Sequence, residues 1–330
     1  MLRPGNLKQY LDVTIILLCT ATVLSGAGMS TAQFKLNLER EYDAGVFDIC
    51  ELIHTQREEQ LVLSLNAPDT ELLHAIADYP IASLTIMGGD LHLDSLKGMS
   101  VYELNLHAVK CVGFESILGA LPLRRFHANY MTWTNLNVLA QINTLTDIRI
   151  AIPNDSKPIN LAPLKRLHKL ERLMLFGRWG PDVSCLSETS VKHLGLVDNM
   201  SIKDWSPLKN LRLTSLDLSG SAVSNISFVA GMRLESLNIS GTRVTEIAAL
   251  RGMPLKTLRM SGVQVEDLTP LAGMPLEYLV FDVSAARKGL NNLRAMSSSI
   301  KLIGTRGDGR SMNTDVTSPD EFWRRFEEKR

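Results

Sequence analysis

The chain has 330 residues, of which 45% are hydrophobic and only 6% aromatic, so its apolar side chains are mainly aliphatic. Lys and Arg number 35, as do Asp and Glu, and the formal net charge is zero at pH 7. A balanced charge gives no overall attraction to polyanions, so nucleic acid is not an expected partner. The length allows two compact domains or one elongated repeat array.

The N-terminal segment has the layout of an export signal. Basic residues precede an uncharged apolar run at 13–28, and small residues follow up to Ala32. This layout predicts a secretory signal peptide over 1–32. The alternative is an uncleaved membrane anchor over 13–32, because roughly 20 apolar residues span a bilayer. Both place the chain outside the cytoplasm, either secreted or in the cell envelope (periplasm or outer surface).

Residues 33–59 show a helical spacing of apolar side chains. Val46, Ile49, Cys50 and Ile53 recur at intervals of three and four, as on one face of a helix. The pattern predicts an N-terminal helical cap over 33–59.

Residues 60–303 carry an internal repeat. An apolar triplet at positions i, i+3 and i+5 recurs every 20 to 25 residues, and its clearest copies begin at Leu213, Leu234, Leu255 and Leu276. Further apolar residues at i+10, i+13 and i+16 give every unit inward-pointing side chains on all sides. A single unit cannot close such a core, but about eleven stacked units would bury a continuous one.

These repeats resemble the leucine-rich-repeat family, in the short form of 21 to 22 residues found in internalin-like bacterial proteins. The resemblance implies an α/β solenoid: a right-handed coil or horseshoe with a parallel concave sheet and short 3-10 or irregular convex segments, capped by helices. The phrases at 250–255 and 267–276 are also similar to repeat regions attached to some bacterial serine/threonine kinases. No kinase motif accompanies them.

The C-terminal segment, 304–330, predicts a loop and a capping helix. Ser318 suits an N-cap and Pro319 the first helical position. Phe322, Trp323 and Phe326 then share one face, which we expect to seal the last coil.

Successive side chains of a strand point to opposite faces of the sheet, so residues i+2, i+4 and i+6 of each repeat point away from the core. The repeat register therefore predicts which residues form the outward surface. The central coils place cationic, aromatic and sulfur-bearing side chains there, a mixture typical of binding hot spots. Trp179 has no place in the apolar repeat pattern and is the leading candidate, on a lip formed by the longer loops 151–158 and 178–182. The predicted partner-binding residues are Arg125, His127, Arg149, Arg172, Met174, Phe176, Arg178 and Trp179.

A second reading of the same surface is a self-neutralising ladder. Glu103, Arg125, Asp147 and Arg172 alternate in sign on adjacent predicted strands, so they would pair with one another without any ligand.

Catalytic and metal-binding signatures are absent from the sequence. It has no HExxH, P-loop, nucleophile elbow or Rossmann fingerprint. After signal cleavage Cys50, Cys111 and Cys185 remain, an odd number without CxxC spacing, which predicts separate thiols. We therefore expect no enzyme, metal or cofactor. An enzyme would require His127 and Arg149 to converge with a carboxylate in a closed pocket.

The sequence thus predicts a non-catalytic extracytoplasmic leucine-rich-repeat protein that binds a protein, or alternatively a glycan, through its concave face. The competing hypothesis is a structural or regulatory remnant related to the repeat region of a membrane-linked kinase. A membrane contact is expected only through an uncleaved anchor, and the oligomeric state is left open.

Overall fold

The computed structural model describes residues 16–18, 47–54, 59–66, 68, 70–77, 81–112, 121–130, 136–153, 156–306 and 314–328. The chain divides into two compact units, Met1–Pro153 (unit 1) and Asn154–Arg330 (unit 2).

Unit 1 is organised around a mainly parallel sheet, with one strand from each successive coil. β3 pairs with β4, β4 with β6, β6 with β8, and β8 with β9, all in parallel. A smaller parallel sheet joins β5 and β7. Its elements are β1 (Ile16–Leu18), β2 (Phe47–His54), β3 (Glu59–Asn66), α1 (Thr70–Ala75), β4 (Ile81–Met87), β5 (Asp90–His92), β6 (Glu103–His107), β7 (Lys110–Val112), β8 (Arg125–Asn129) and β9 (Asp147–Ala151), with 3-10 turns at Leu93–Leu96 and Leu139–Gln141.

The helix predicted within 33–59 is wrong over residues 47–54, which form strand β2. β2 runs antiparallel to β3, with Cys50 opposite Leu63. Phe47, Ile49 and Ile53 are residue types that favour strands. The open edge of β3 also offers unpaired N–H and C=O groups, and pairing with them outweighs the helical spacing. The rest of the predicted helical cap lies outside the described residues, apart from the start of β3.

Most of the predicted signal or anchor segment also lies outside the described residues. Within it, Ile16–Leu18 forms β1, which pairs in parallel with β2. Among the residues described, no helix is both long enough and apolar enough to span a membrane.

Unit 2 repeats one strand and one 3-10 turn per coil. The strands from β10 to β16 pair in parallel, in chain order, and β17 pairs antiparallel with β16. Its elements are β10 (Arg172–Phe176), β11 (His193–Val197), β12 (Ser215–Asp217), β13 (Ser236–Asn238), β14 (Thr257–Met260), β15 (Tyr278–Phe281), α2 (Leu290–Ala295), β16 (Leu302–Arg306), β17 (Thr314–Thr317) and α3 (Pro319–Glu328), with 3-10 turns at Ala162–Arg166, Ser184–Glu188, Ser206–Asn210, Ser227–Val229, Ala248–Leu250 and Thr269–Leu271.

The predicted stacking of the repeat leucines is confirmed. Leu216 lies opposite Leu237, and Leu237 opposite Leu258, on neighbouring parallel strands. Each of the three is at most 1% exposed. The apolar positions on the other sides of the coil are buried too, as Val223 and Val229 show. Each coil therefore contributes a ring of aliphatic side chains to an interior shared with its neighbours.

Short side-chain caps start the 3-10 turns. The Asn225 Oδ1 accepts a hydrogen bond from the Ser227 backbone N–H at 2.7 Å. Asp204 does the same for Ser206 at 2.9 Å, and the hydrogen bonds from the Ser206 side chain and backbone lower the pKa of the Asp204 carboxyl. An Asn or Asp there satisfies a backbone donor that the short turn leaves without a partner. Asn160, Asp182 and Asp267 form the same contact in their own coils.

The C-terminal helix α3 begins at Pro319, as predicted, and covers the last coil. Its Trp323 donates a hydrogen bond to the Ser297 Oγ at 2.9 Å, and the Phe322 ring lies 6.0 Å from that of Phe281. The predicted loop before the helix contains strand β17, whose pairing with β16 provides backbone partners at the end of the sheet.

Replacing one stacked leucine tests whether the shared interior holds unit 2 together. Leu237→Ala should lower the free energy of unfolding by about 2–5 kcal/mol, because it leaves a cavity in a fully buried row. The matched control, Ser236→Ala, changes the outward-facing neighbour and should stay within about 0.5 kcal/mol of the parent protein. Urea unfolding followed by circular dichroism measures both. Equal effects of the two substitutions would contradict the register.

Candidate functional site

The outward side of the unit 1 sheet brings three of the predicted binding residues together. Arg125 and His127 lie on β8, and Arg149 lies beside His127 on β9. Arg125 and Arg149 are exposed, whereas His127 is half-buried. We call this surface, formed by the outward side chains of β6, β8 and β9, the unit 1 face.

Opposite charges lie close together on the unit 1 face. Arg125 Nε is 3.1 Å from Glu103 Oε2, as the ladder reading predicts. Asp147 Oδ1 is 3.6 Å from the Nε2 of His127. The Arg125 side chain nevertheless keeps 57% of its surface exposed. An ion pair this open contributes about 0–1 kcal/mol, so it leaves the guanidinium available for another partner.

A hydrogen-bonded amide and imidazole adjoin these charges. Asn129 Nδ2 and His107 Nδ1 lie 3.1 Å apart, on neighbouring strands. The pKa of His107 is lowered by its partial burial and, to a smaller extent, by the nearby His127. Asn105 donates to Thr85 Oγ1 at 3.2 Å. The polar groups of the face are thus held in place before any partner arrives.

Two exposed tyrosines near this face were missed in the sequence. Tyr130 directly follows β8 and is 75% exposed. Its φ of 58° is left-handed, at a place in the coil where Gly220 and Gly241 stand in unit 2. A tyrosine at a position that favours glycine was the signal available in the sequence. Tyr102 is 38% exposed and stacks under the Arg124 guanidinium, 5.5 Å from the ring centre.

The remaining predicted binding residues lie in unit 2. Arg172 and Arg178 are exposed, and Met174 and Phe176 are half-exposed on the outward side of β10. Met174 covers Gly195 on the next strand: its Sδ is 2.6 Å from where a Cβ on that glycine would stand. Gly195 therefore makes room for the methionine, and together they form a small apolar area on the sheet.

Trp179 is not on an exposed lip, and that prediction is wrong. Its side chain is fully buried, and its Nε1 donates a hydrogen bond to the Phe176 carbonyl at 3.2 Å. Trp179 bridges to Ile159 of the preceding coil, and the Gly180 N–H donates to the Ile159 carbonyl at 2.8 Å. The longer coil thus accommodates the indole inside it. Trp179 is a core residue.

Small polar groups line the outward side of the later coils. Asp217 accepts hydrogen bonds from Ser219 Oγ at 2.6 Å and from Asn238 Nδ2 at 3.1 Å. Burial and the neighbouring Asp217 both raise the pKa of Asp198. Arg259 stacks on Tyr278, 5.1 Å from the ring centre. These groups largely satisfy one another.

Within the described part of the chain, no three His, Cys, Asp or Glu side chains gather in a way that could hold a metal ion. Cys185 is a buried free thiol, and its burial raises its pKa to about 11, so it stays protonated at neutral pH. The side chains of Cys50 and Cys111 lie outside the described residues.

Comparison with known proteins bears on the fold. No family model matches the sequence, and no curated protein matches it. Solved structures do match. Internalin F of Listeria monocytogenes str. 4b F2365 is 16% identical and covers 76% of this chain and 82% of its own, with a TM-score of 0.54. Internalin C2 of the same strain is 26% identical over 56% of this chain and 80% of its own, with a TM-score of 0.49. A leucine-rich-repeat protein of Leptospira interrogans is 14% identical over 73% of this chain and 75% of its own, with a TM-score of 0.41.

The internalin F match agrees with the coil geometry described above. The chain has the leucine-rich-repeat fold. The predicted leucine-rich-repeat solenoid and the resemblance to internalin-like repeats are confirmed, apart from the N-terminal helical cap, which is wrong over residues 47–54. The similarity to kinase-linked repeats and the number of units stay predictions.

Trp179→Ala should destabilise this leucine-rich-repeat protein by about 3–5 kcal/mol, because it empties a buried site the size of an indole. Arg178→Ala, one residue away and exposed, should change the unfolding free energy by less than about 0.5 kcal/mol. Thermal and urea unfolding of both variants measures the difference. A stable Trp179→Ala protein would restore the lip interpretation.

Acidification should weaken unit 1 through His107. Its folded pKa lies below the ordinary value of 6.5, so the unfolded state takes up the proton more readily. The His107 contribution to stability is complete above pH 6.5 and is lost as the pH falls from there through the lowered folded value. NMR titration should place the imidazole below 6.5, and His107→Gln should flatten the pH dependence of unfolding in this range. Titration at or above the ordinary value would contradict this account.

Proposed function

We propose that this leucine-rich-repeat protein is a non-catalytic binding module that recognises another protein outside the cytoplasm. The observation that carries the proposal is the unit 1 face, where Arg125, His127 and Arg149 meet on a rigid sheet. Strands stacked on a buried core hold the backbone that carries these side chains in one position, so little backbone freedom is lost on binding.

The residue types on and beside the unit 1 face favour a protein partner. Arg and Tyr are enriched among the residues that dominate binding energy at protein interfaces. Arg125 and the 75%-exposed Tyr130 come from one strand and the turn that follows it. A glycan is the alternative, since tyrosine rings and planar amides such as that of Asn105 also suit sugar hydroxyls and ring faces.

Unit 2 contributes a second outward surface around β10. Arg172 and Arg178 are exposed beside the half-exposed Met174 and Phe176. Apolar area flanked by guanidinium groups is typical of an interface core with a polar rim. Trp179 is no longer part of the proposed surface.

The open geometry of the unit 1 face supports a non-catalytic role. His127 does approach the Asp147 carboxylate at 3.6 Å, with Arg149 on the adjacent strand. Arg149 is exposed, however, and catalysis needs charges placed where water is excluded. The competing hypothesis of a kinase-related remnant is supported only by the sequence phrases at 250–255 and 267–276, and the geometry of the described residues adds nothing to it.

Export rests on residues 1–32 and on the internalin-like fold. We infer a secreted or envelope location, with the anchor over 13–32 as the alternative. The mature protein should begin after Ala32, and N-terminal sequencing of protein recovered from the envelope or medium measures this. A mature chain that retains residues 13–32 in a membrane fraction would favour the anchor.

The function is tested by capture on the immobilised full-length protein. The chain should retain a protein from extracts of its own cell envelope, identified by mass spectrometry. Arg125→Ala with Tyr130→Ala should weaken that complex about 30-fold, the effect of losing about 2 kcal/mol at a hot spot. Ser215→Ala with Ser236→Ala, outward residues of unit 2 strands, serves as the matched control and should bind like the parent protein.

Three results would count against the proposal or part of it. Equal binding by the two double variants would remove the unit 1 face from the interface. Retention that is lost after glycosidase treatment of the extract would favour the glycan alternative. Turnover of a bound substrate would contradict the non-catalytic role.

A further inference from the structure

A charged edge of unit 2 is separate from the outward faces of the strands. In successive coils a short stretch of chain begins in the last residues of the 3-10 turn or just after it and runs toward the next strand, and four such stretches follow one another at 165–169, 187–190, 209–212 and 230–233. We call these segments the basic edge. They hold six basic side chains and one carboxylate, Glu188; the six are Lys165, Arg166, Lys169, Lys209, Arg212 and Arg233.

The basic side chains have no partners within the described residues. All six are exposed, and none of them forms an ion pair or a side-chain hydrogen bond in the part of the chain that the structure describes. The charged row beside them behaves differently. That row consists of the residues immediately before the strands. In it the Lys192 Nζ lies 2.8 Å from the Glu171 Oε1 and the Lys256 Nζ lies 2.8 Å from the Glu235 Oε2, so these charges neutralise one another in pairs.

The coil geometry brings these charges into lines. Consecutive 3-10 turns pack against one another, and Lys165 and Lys209 follow the buried leucine of their turns. Arg212 and Arg233 precede β12 and β13, which pair directly. Neighbouring strands are about 4.8 Å apart, so these two guanidinium groups start from backbones at roughly that spacing.

The opposite edge of the same coils lacks this excess of positive charge. The segments that precede the four 3-10 turns, 156–161, 177–183, 198–205 and 219–226, contain three aspartates and three basic residues, Lys157, Arg178 and Lys203. A chain with no net charge overall therefore has a positive edge in unit 2. Such separation orients a protein on a charged surface even when its total charge is zero.

We propose that the basic edge docks on the anionic phosphate headgroups of a membrane surface. Clusters of four to eight Lys and Arg side chains bind acidic lipids, and each one near the surface strengthens binding about fivefold. The edge has no Phe, Tyr or Trp, so it lacks the large aromatic rings on which nucleobases and sugar rings most often stack. Its partner need only present closely spaced negative charges. This contact is independent of the protein partner proposed for the unit 1 face.

Vesicle flotation with the full-length protein tests the docking. The protein should bind vesicles of phosphatidylcholine that contain phosphatidylglycerol, bind pure phosphatidylcholine vesicles far less, and be released by added salt. The variant Lys169→Gln, Arg212→Gln, Arg233→Gln should bind the anionic vesicles about 100-fold more weakly. Because the three side chains are exposed and unpaired, thermal unfolding should not change.

A matched control removes the same charge from the other edge. Lys157→Gln, Lys203→Gln and Arg243→Gln replace three exposed residues on the strand-to-turn side, and this variant should bind anionic vesicles like the parent protein. Equal losses in the two triple variants, or no binding to anionic vesicles, would overturn the proposal. So would tight binding to heparin or RNA with none to vesicles, since that result identifies a soluble polyanion. Loss of protein capture in the Arg125 and Tyr130 variant, with vesicle binding intact, would show the two surfaces to be separate.

Discussion

The rest of the structure depends on the burial of one leucine row. Leu216, Leu237 and Leu258 face into the interior at the same height on neighbouring strands. A shift of one residue would turn each strand over and expose the row to water, so the hydrophobic effect fixes the register. Once it is fixed, the residues between the leucines must face outward. The surfaces proposed for binding exist because the core permits only this arrangement.

The fold could be predicted from the sequence because its period repeats many times. Triplets starting at Leu213, Leu234, Leu255 and Leu276 support one another, so a weak copy does not mislead. Segment 47–54 had no such support. The spacing of its apolar residues suited a helix, yet the segment pairs with the edge of β3 as a strand. The prediction that Trp179 is exposed was wrong for a related reason. The number of residues in a coil does not show whether the additional residues face the solvent or the interior, and Trp179 faces the interior.

The candidate site was only partly predictable. Alternation correctly assigned Arg125 and Arg149 to the outward side, because that depends on backbone geometry alone. Which charges would pair could not be predicted by comparing the same outward position on successive strands. The Asp147 Oδ1 lies 3.6 Å from the Nε2 of His127, which occupies a different outward position on the neighbouring strand. The basic edge was missed because the sequence map covered only strand residues, whereas these charges lie at the ends of the 3-10 turns and on the residues that follow them.

The 21-residue spacing of the coils in unit 2 has a consequence for how such a chain can change. Gly220, Gly241 and Gly262 turn the backbone at the same point, with φ values of 66°, 67° and 72°. The backbone therefore enters and leaves each coil in nearly the same way, and each coil contacts only the coil before it and the coil after it. Excising or duplicating one whole coil would join equivalent ends and leave every other coil with neighbours of the same shape. The protein can lengthen or shorten in modular steps, and the outward face grows or shrinks by one strand at a time.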